Sequence, residues 1–282
     1  MLKETAKGLA KRLLPRPIYS RALRPAVRAL LSGAFGRRGL PVDLGGLGVF
    51  RLAPDLYFRG WERFGERHNS GYARCIQACA GKSVFIDVGA HVGLYALPVS
   101  RTLAPGGEVF AFEPSESNYR YLVRHVKYNG IDNIRAYSLV IGDASKESVR
   151  FYEHVKGGSG LGGLTRRTKR ASDQFVELDR RQVSLDEFCE EHGVAPDVIK
   201  IDVEGAEYLV LEGARRTLAM HRPTMFLSLH PAQLESLGHS VRAVESLLGS
   251  LGYSVLSTDG NPVEEVGSGE YLCVAGAPAG AS

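Results

Sequence analysis

The stretch from Val84 to Ala96, VFIDVGAHVGLYA, constrains the fold more than any other part of the chain. A run of apolar, largely β-branched residues ends in an acid, Asp87. Gly89 and Gly93 follow, and a helical apolar pattern begins near Val92. This is a strand running through a tight glycine turn into a helix. In an open parallel sheet such a turn lies at the carboxyl end of the strand, where ligands bind. Glycines there let the backbone come close to a ligand, and the helix N-terminus offers unpaired N–H groups. Twenty residues after Gly93, a second apolar run, Val109–Phe112, ends in Glu113-Pro114. An acid at that spacing, at the tip of the neighbouring strand, can accept both hydroxyls of a ribose. Asp87, Gly89, Gly93 and Glu113 together therefore describe a nucleoside-binding cleft.

The rest of the chain repeats the alternation. Strand-like runs occupy Ser83–Val88, Val109–Phe112, Ile134–Ile141, Val198–Val203, Thr224–Leu229, Tyr253–Ser257 and Tyr271–Ala275. Amphipathic helical stretches cover Gly93–Thr102, Glu116–Tyr128, Leu185–Glu191, Ala206–Met220 and Val241–Leu251. Strands alternating with helices predict a mostly parallel sheet covered on both faces. With 44% hydrophobic and 23% charged residues the chain has a globular composition, which excludes wholesale disorder. No apolar stretch approaches the roughly 18–20 residues that span a bilayer. The start, MLKETAKGLAKRLL, has no apolar signal core, and four cysteines without matched ligand spacing read as reduced thiols. The expectation is a cytoplasmic protein.

The glycine turn is not a dinucleotide fingerprint. Aligned on Gly89, G-x-G-x-x-G needs glycine at 91 and 94, where His91 and Leu94 stand. Gly81-Lys82-Ser83 imitates the end of a phosphate loop, yet the earlier glycine falls on Ile76 and a strand follows instead of a helix. An NAD-dependent oxidoreductase and an ATP site of that kind are both disfavoured. An acid before the turn, with no phosphate cradle, suits a cationic nucleoside. S-adenosylmethionine, with its sulfonium, amino acid end and adenosine, fits.

The segments VFIDVGAHVGLYA, VFAFEPSESNYRYLVRHVKYNG, VSLDEF and IKIDVEGAEYLVLEGA, in that order over roughly residues 80–257, resemble the FkbM family of S-adenosylmethionine-dependent methyltransferases. The resemblance implies the class I methyltransferase (Rossmann-like) fold: a seven-stranded, mostly parallel sheet with its last strand antiparallel and helices on both faces. It implies O-methylation of a hydroxyl, commonly on a carbohydrate or natural product. It also implies that Asp87, Gly89, Ala90, His91 and Gly93 form the first cofactor loop. Glu113 would hold the ribose, Pro114, Ser115 and Asn118 would shape the adenosine edge, and Asp143 would flank the adenine. Asp202 and Glu204 would point into the cleft near the methyl group. The family usually has Asn where His91 stands, and an acid two residues before the histidine that corresponds to His230, where this chain has Ser228.

Methyl transfer to a hydroxyl needs alignment, and a base for the departing proton. His230, Asp202 and Glu204 are the candidates; His230 ends the apolar strand MFLSLH, is of the residue type most often used as a general base, and also suits a structural strand-end role. These residues do not form a recognised ligand set, so no metal is expected. A methyltransferase-like fold kept only for binding is the non-enzymatic alternative, and the cleft acids argue against it.

Two basic regions remain. Residues 157–171, GGSGLGGLTRRTKRA, form either a solvated hairpin tip or a flexible lid whose Arg166, Arg167, Lys169 and Arg170 meet an anionic acceptor. The first 40 residues hold ten cations and one acid, +9, while the remainder holds 25 cations and 30 acids, −5. Leu23, Val27 and Leu30 share a helical face there, with Arg21, Arg24 and Arg28 on another. This helical basic extension, taken as residues 1–49 before a catalytic domain over 50–282, either packs on the body, lies on an anionic membrane surface or docks a partner. Only Tyr19 interrupts its cations as an aromatic, which disfavours nucleic acid. Oligomeric state is not readable.

Overall fold

The computed structural model describes residues 24–66, 69–155, 158–160, 162–166 and 174–276. Its strands are β1 (Leu40–Asp43), β2 (Val49–Leu52), β3 (Val84–Val88), β4 (Glu108–Phe112), β5 (Ile134–Tyr137), β6 (Val140–Gly142), β7 (Lys146–His154), β8 (Phe175–Ser184), β9 (Val198–Ile201), β10 (Thr224–Leu229), β11 (Tyr253–Ser257) and β12 (Gly269–Ala275). Its α-helices are α1 (Arg24–Phe35), α2 (Tyr72–Ala78), α3 (Ala96–Val99), α4 (Glu116–Asn129), α5 (Leu185–His192), α6 (Glu207–Glu212), α7 (Arg215–His221), α8 (Pro231–Ser236) and α9 (Val241–Ser250).

Seven strands form the main sheet in the order β11-β12-β10-β9-β3-β4-β5. Six run in the same direction, and β12 runs antiparallel to them between β10 and β11. This is the seven-stranded class I methyltransferase architecture. The order reverses between β3 and β9, the switch point at which such sheets bind ligands. Strand residues are buried alternately on two sides, which is why the runs read as continuously apolar. Phe85, Val109 and Val198 pack with α2, α3 and α4 on one face. Ile86, Phe112 and Ile199 pack with α5, α6, α7 and α9 on the other.

Local sequence explains the helix ends. Ser115 caps α4 by accepting from the Asn118 N–H, and Gly130 closes it in the left-handed conformation. Ser184 caps α5 in the same way, with Gly193 at its other end.

Several expected elements change. The run Ile134–Ile141 divides: β5 stays in the main sheet, while β6 leaves to pair with β8 in a three-stranded sheet with β7. The helix expected over Gly93–Thr102 is regular only over Ala96–Val99. The helix expected over Ala206–Met220 breaks at Gly213, where a Cβ would lie 2.0 Å from the Gly142 carbonyl oxygen. Close approach to the β6 end requires glycine there. The glycine-rich stretch around residue 45 forms a hairpin, β1–β2, that runs across residues 49 and 50. Leu40, Val42, Leu44, Phe50 and Leu52 join the same core cluster as Phe85.

In α1 the apolar face also differs from expectation. Leu30 is 73% exposed, and Leu31 and Phe35 pack against the core instead. Pro25 sits in the first turn, where its missing N–H has no helical partner to lose. Leu23 and Arg21 lie outside the described residues. The four cysteines are free and buried. No helix among the described residues is long and apolar enough to cross a membrane.

Candidate active site

A cavity of about 520 Å³ opens at the carboxyl ends of β3, β4 and β9. Gly89, Ala90, His91, Glu113, Pro114, Asn118, Asp202 and Glu204 line it, so eight of the residues singled out from sequence come together. Trp61, Tyr95, Lys200 and part of the glycine-rich segment, Gly158 to Gly163, complete the wall.

The glycine turn is shaped by contact with the next strand end. Gly89 has φ +85°, and a Cβ on it would lie 1.9 Å from the Asp202 carbonyl oxygen. No side chain fits. His91 follows with φ 53°, a left-handed conformation that asparagine and histidine tolerate better than most residues. Burial pushes the His91 imidazole down to about 4, so the ring is neutral at physiological pH. Gly93 packs on Leu122 rather than lining the cavity.

Glu113 is 6% exposed. Its Oε2 accepts from the His91 N–H at 2.7 Å and its Oε1 from the Ser115 N–H at 2.9 Å. Burial pushes the carboxyl up to about 7 against the pull of these bonds. Each oxygen keeps a second lone pair for a ligand hydroxyl. Asn118 holds backbone instead of facing a ligand. Its Oδ1 accepts from the Gly158 N–H and its Nδ2 donates to the Ser159 carbonyl. A mutual pair of backbone bonds between Tyr152 and Gly163 also draws the segment inward.

Beneath the turn lies a buried charge chain. Lys200 Nζ is 3.5 Å from Asp87 Oδ1 and 3.7 Å from Asp202 Oδ2, and stands 4.7 Å over the Tyr95 ring. Burial works against the charged ammonium, but Asp202, Asp87 and Glu270 outweigh it and hold Lys200 above its ordinary value. Burial likewise opposes ionisation of Asp202, and Lys200 and His230 reverse the balance, so its carboxyl titrates low. Burial raises Asp87 despite Lys200. Asp87 is fully buried and touches the site through Lys200.

Ser228 pairs in register with Glu270 of β12. The Glu270 carboxylate accepts from Ser228 Oγ at 3.3 Å, Asn69 Nδ2 at 3.1 Å and the Gly71 N–H at 2.8 Å. A carboxylate thus stands at this level of the sheet, supplied by the neighbouring strand.

Glu204 has φ 55°, a strained conformation of the kind concentrated at functional sites. Its Oε2 lies 3.5 Å from His230 Nε2, and Asp202 Oδ1 lies 3.9 Å from the same nitrogen. His230 Nδ1 is 2.7 Å from Glu207 Oε1, which also accepts from the Gly205 N–H. Glu207 is fully buried, so the ring is held from behind. Ligand-capable atoms of Asp202, Glu204 and His230 all lie within 4.8 Å of one another. Spacing of 202, 204 and 230 along the chain does not show this grouping, which the fold brings to distances compatible with a cation.

Asp143 lies apart from the cavity wall; its Oδ1 accepts from Lys146 Nζ and Gln182 Nε2. Ser115 serves as the α4 cap. Arg166 stacks over the Tyr152 ring at 5.0 Å; Arg167, Lys169 and Arg170 fall outside the described residues. Trp61 and Tyr95 are wall residues that sequence reading did not assign. Lys200, whose alternation with Asp202 predicts a pairing with a neighbouring acid, pairs with both Asp87 and Asp202. Trp61 and Tyr95 reach the cavity only through tertiary packing.

The model of the methyltransferase FkbM domain matches residues 87–255, more than half of the 282-residue chain. The chain belongs to the FkbM methyltransferase family. As a member of that family it is an S-adenosylmethionine-dependent methyltransferase, and S-adenosylmethionine is its cofactor. Among solved structures it is similar to the methyltransferase FkbM of Methylobacillus flagellatus KT, at 17% identity and TM-score 0.43, over 69% of this chain and 44% of that one. It is also similar to the precorrin-6y C5,15-methyltransferase of Geobacter metallireducens GS-15, at 15% identity and TM-score 0.42, over 79% of this chain and 93% of that one. This chain therefore spans less than half the length of the Methylobacillus protein. No curated protein matches it.

The donor set fits the family cofactor. Paired strand-end carboxylates, a backbone brought close by Gly89 and no phosphate cradle suit a cationic nucleoside.

Proposed function

We propose that this FkbM-family enzyme is an O-methyltransferase acting on a hydroxyl of a carbohydrate or natural-product acceptor. The observation that carries the reading is His230, set between buried Glu207 and the two strand-end acids Asp202 and Glu204. S-adenosylmethionine, when bound, supplies an electrophilic methyl on a sulfonium. Every other requirement falls on this chain. Glu113 accepts the ribose hydroxyls, and the turn Gly89, Ala90 and His91 lets the backbone approach. Pro114 shapes the adenosine edge. Asp87, Gly93 and Ser115 hold that frame from behind, Asn118 ties the Gly158–Gly163 segment across the opening, and Asp143 supports the β6 end. Asp202, kept ionised by Lys200, faces the cationic end.

Glu207 accepts the Nδ1 proton of His230, which leaves Nε2 as the lone pair that takes the acceptor's hydroxyl proton. Asp202 and Glu204 stabilise the imidazolium that results. Arg166, with Arg167 and Lys169 on the same loop, meets an anionic group of the acceptor. The acceptor is a small molecule or glycan, and no nucleic acid is involved. The catalytic unit starts at Leu40 rather than at residue 50, because the β1–β2 hairpin packs in its core. The enzyme is cytoplasmic, and its basic N-terminal residues 1–40 associate peripherally with a membrane.

The test is an acceptor screen with isotopically labelled S-adenosylmethionine, followed by analysis of the product. A methyl ether, with kcat reduced about 10²–10⁴-fold in His230→Gln, is expected. A methyl found on nitrogen or carbon, or an unaffected His230→Gln, overturns the reading.

A further inference from the structure

A second concavity, of about 790 Å³, lies on the outer face of α4. Arg37, Arg38, Arg51, Arg120, Arg124 and Lys127 line it, and no carboxylate does. Arg120 pairs with Glu116 at 2.9 Å, and Arg51 Nη1 donates to the carbonyls of Arg38 and Gly39. Arg37, Arg38, Arg124 and Lys127 form no ion pair with an acid among the described residues. Six cations gathered around one concavity repel one another unless an anion joins them, and they do so on a body whose residues beyond 40 carry a net −5.

Residues 1–23 hold six cations and one acid, and 277–282, APAGAS, have no charged side chain, so neither segment is a source of negative charge for the groove. The character of a matching anion follows from the side chains among the cations. Among these cations Val123 is 42% exposed. Guanidinium groups beside an exposed aliphatic chain match the boundary between phosphate headgroups and acyl chains. Sequence-neutral binding of single-stranded nucleic acid asks instead for stacking aromatics. The groove holds two aromatics, Tyr119 and Tyr128, against six cations, so charge rather than stacking dominates it.

We propose that this face docks on an anionic phospholipid surface, with lipid phosphates seated in the groove between α4 and the β1–β2 hairpin. Lys127 is nine residues from Asn118 on the same helix, about 13 Å at the helical rise. Docking here sets the cofactor cleft about that far from the lipid phosphates.

The experiment is cosedimentation of the full chain with phosphatidylcholine vesicles, with and without 30% phosphatidylserine (by choice of composition, roughly matching an anionic leaflet). Retention only on the anionic vesicles, released by high salt, is expected. Combined Arg38→Glu, Arg124→Glu and Lys127→Glu should weaken it about a hundredfold, from roughly fivefold for each charge removed near an anionic surface. Arg242→Glu, an exposed reversal on α9, should leave it intact. Neutralising Arg124→Gln with Lys127→Gln gives a milder arm, and unchanged thermal melting and S-adenosylhomocysteine binding show that each variant is folded. Equal retention on uncharged vesicles overturns the proposal, as does full retention of the folded variants when residues 1–23, whose own membrane contact under the proposed function would mask the groove, are also removed. Groove-dependent binding of inositol hexakisphosphate without vesicle retention assigns the groove to a soluble polyphosphate and overturns it. Groove-dependent binding of a short single-stranded RNA in preference to vesicles does the same.

Discussion

Lys200 is the residue on which the site's electrostatics turn. It is buried between two carboxylates and cannot be replaced by an apolar side chain without stranding them. Lys200→Met should therefore destabilise the fold by about 3–5 kcal/mol, the range for breaking a buried pair, read by denaturant unfolding. A loss below about 1 kcal/mol would show that the ammonium contributes little. Glu113 gives a second prediction. Its carboxyl titrates near 7 because of burial, and hydroxyl donors favour its charged form. Affinity for S-adenosylhomocysteine should fall as pH drops below about 7, by up to tenfold per unit. Glu113→Gln should flatten that profile while weakening binding throughout; a pH profile that survives the substitution assigns the dependence elsewhere. Both acids of the nucleoside cleft, Asp87 and Glu113, are legible from their positions at strand ends. Lys200 is only half legible, because alternation fixes its face but not its two partners. Glu270 is not legible at all: its role opposite Ser228 depends on the register of an antiparallel pair 42 residues apart.

At the scale of elements, the glycine turn and the strand end of β9 fit together with no spare volume. Gly89→Ala places a methyl 1.9 Å from a backbone oxygen, at a φ that alanine avoids. Its expected effect is a loss of S-adenosylhomocysteine binding of more than tenfold, measured by calorimetry; wild-type affinity would mean that the turn relaxes freely. The strands of the main sheet are legible because parallel strands buried on both faces are apolar throughout. The β1–β2 hairpin is hidden by Gly45, Gly46 and Gly48, which read as a turn-rich patch yet connect two strands whose alternate residues, Leu40 and Val42, face the core. The break at Gly213 is hidden too, because the apolar period continues across it and only the approach of Gly142 forbids a side chain. The α4 helix reads clearly at both ends, from Ser115 and Gly130.

The whole molecule is latched by His125. Its Nε2 accepts from the Ala53 N–H at 2.9 Å and its Nδ1 donates to the Val92 carbonyl at 2.8 Å, joining the N-terminal segment, α4 and the glycine turn. Burial pushes it to about 4, as it does His91. A histidine depressed in the fold stabilises it above the unfolded value near 6.5, and that stability is lost as pH falls toward 4. Glu113, raised from 4.5 to about 7, acts with the opposite sign and offsets part of the loss. Two imidazoles outweigh one carboxyl, so these three groups should lower unfolding free energy by about 2 kcal/mol between pH 6.5 and 4.5. Thermal melts across that window check it; a transition that rises on acidification contradicts it. Removal of residues 1–23 should leave the melt within a few degrees of the full chain. Removal through residue 45 should not, because it takes Leu40, Val42 and Leu44 from the core.

The uneven placement of charge has a further consequence. With Arg37, Arg38, Arg51, Arg120, Arg124 and Lys127 gathered around one concavity, on a chain whose residues beyond 40 carry a net −5, the described part of the molecule is an electric dipole that the modest net charge conceals. Within a Debye length of a negatively charged sheet, about 8 Å at physiological salt, it experiences a torque before it makes any contact. It then arrives already rotated, basic side leading. Its encounter rate should depend on ionic strength as steeply as that of a much more highly charged protein.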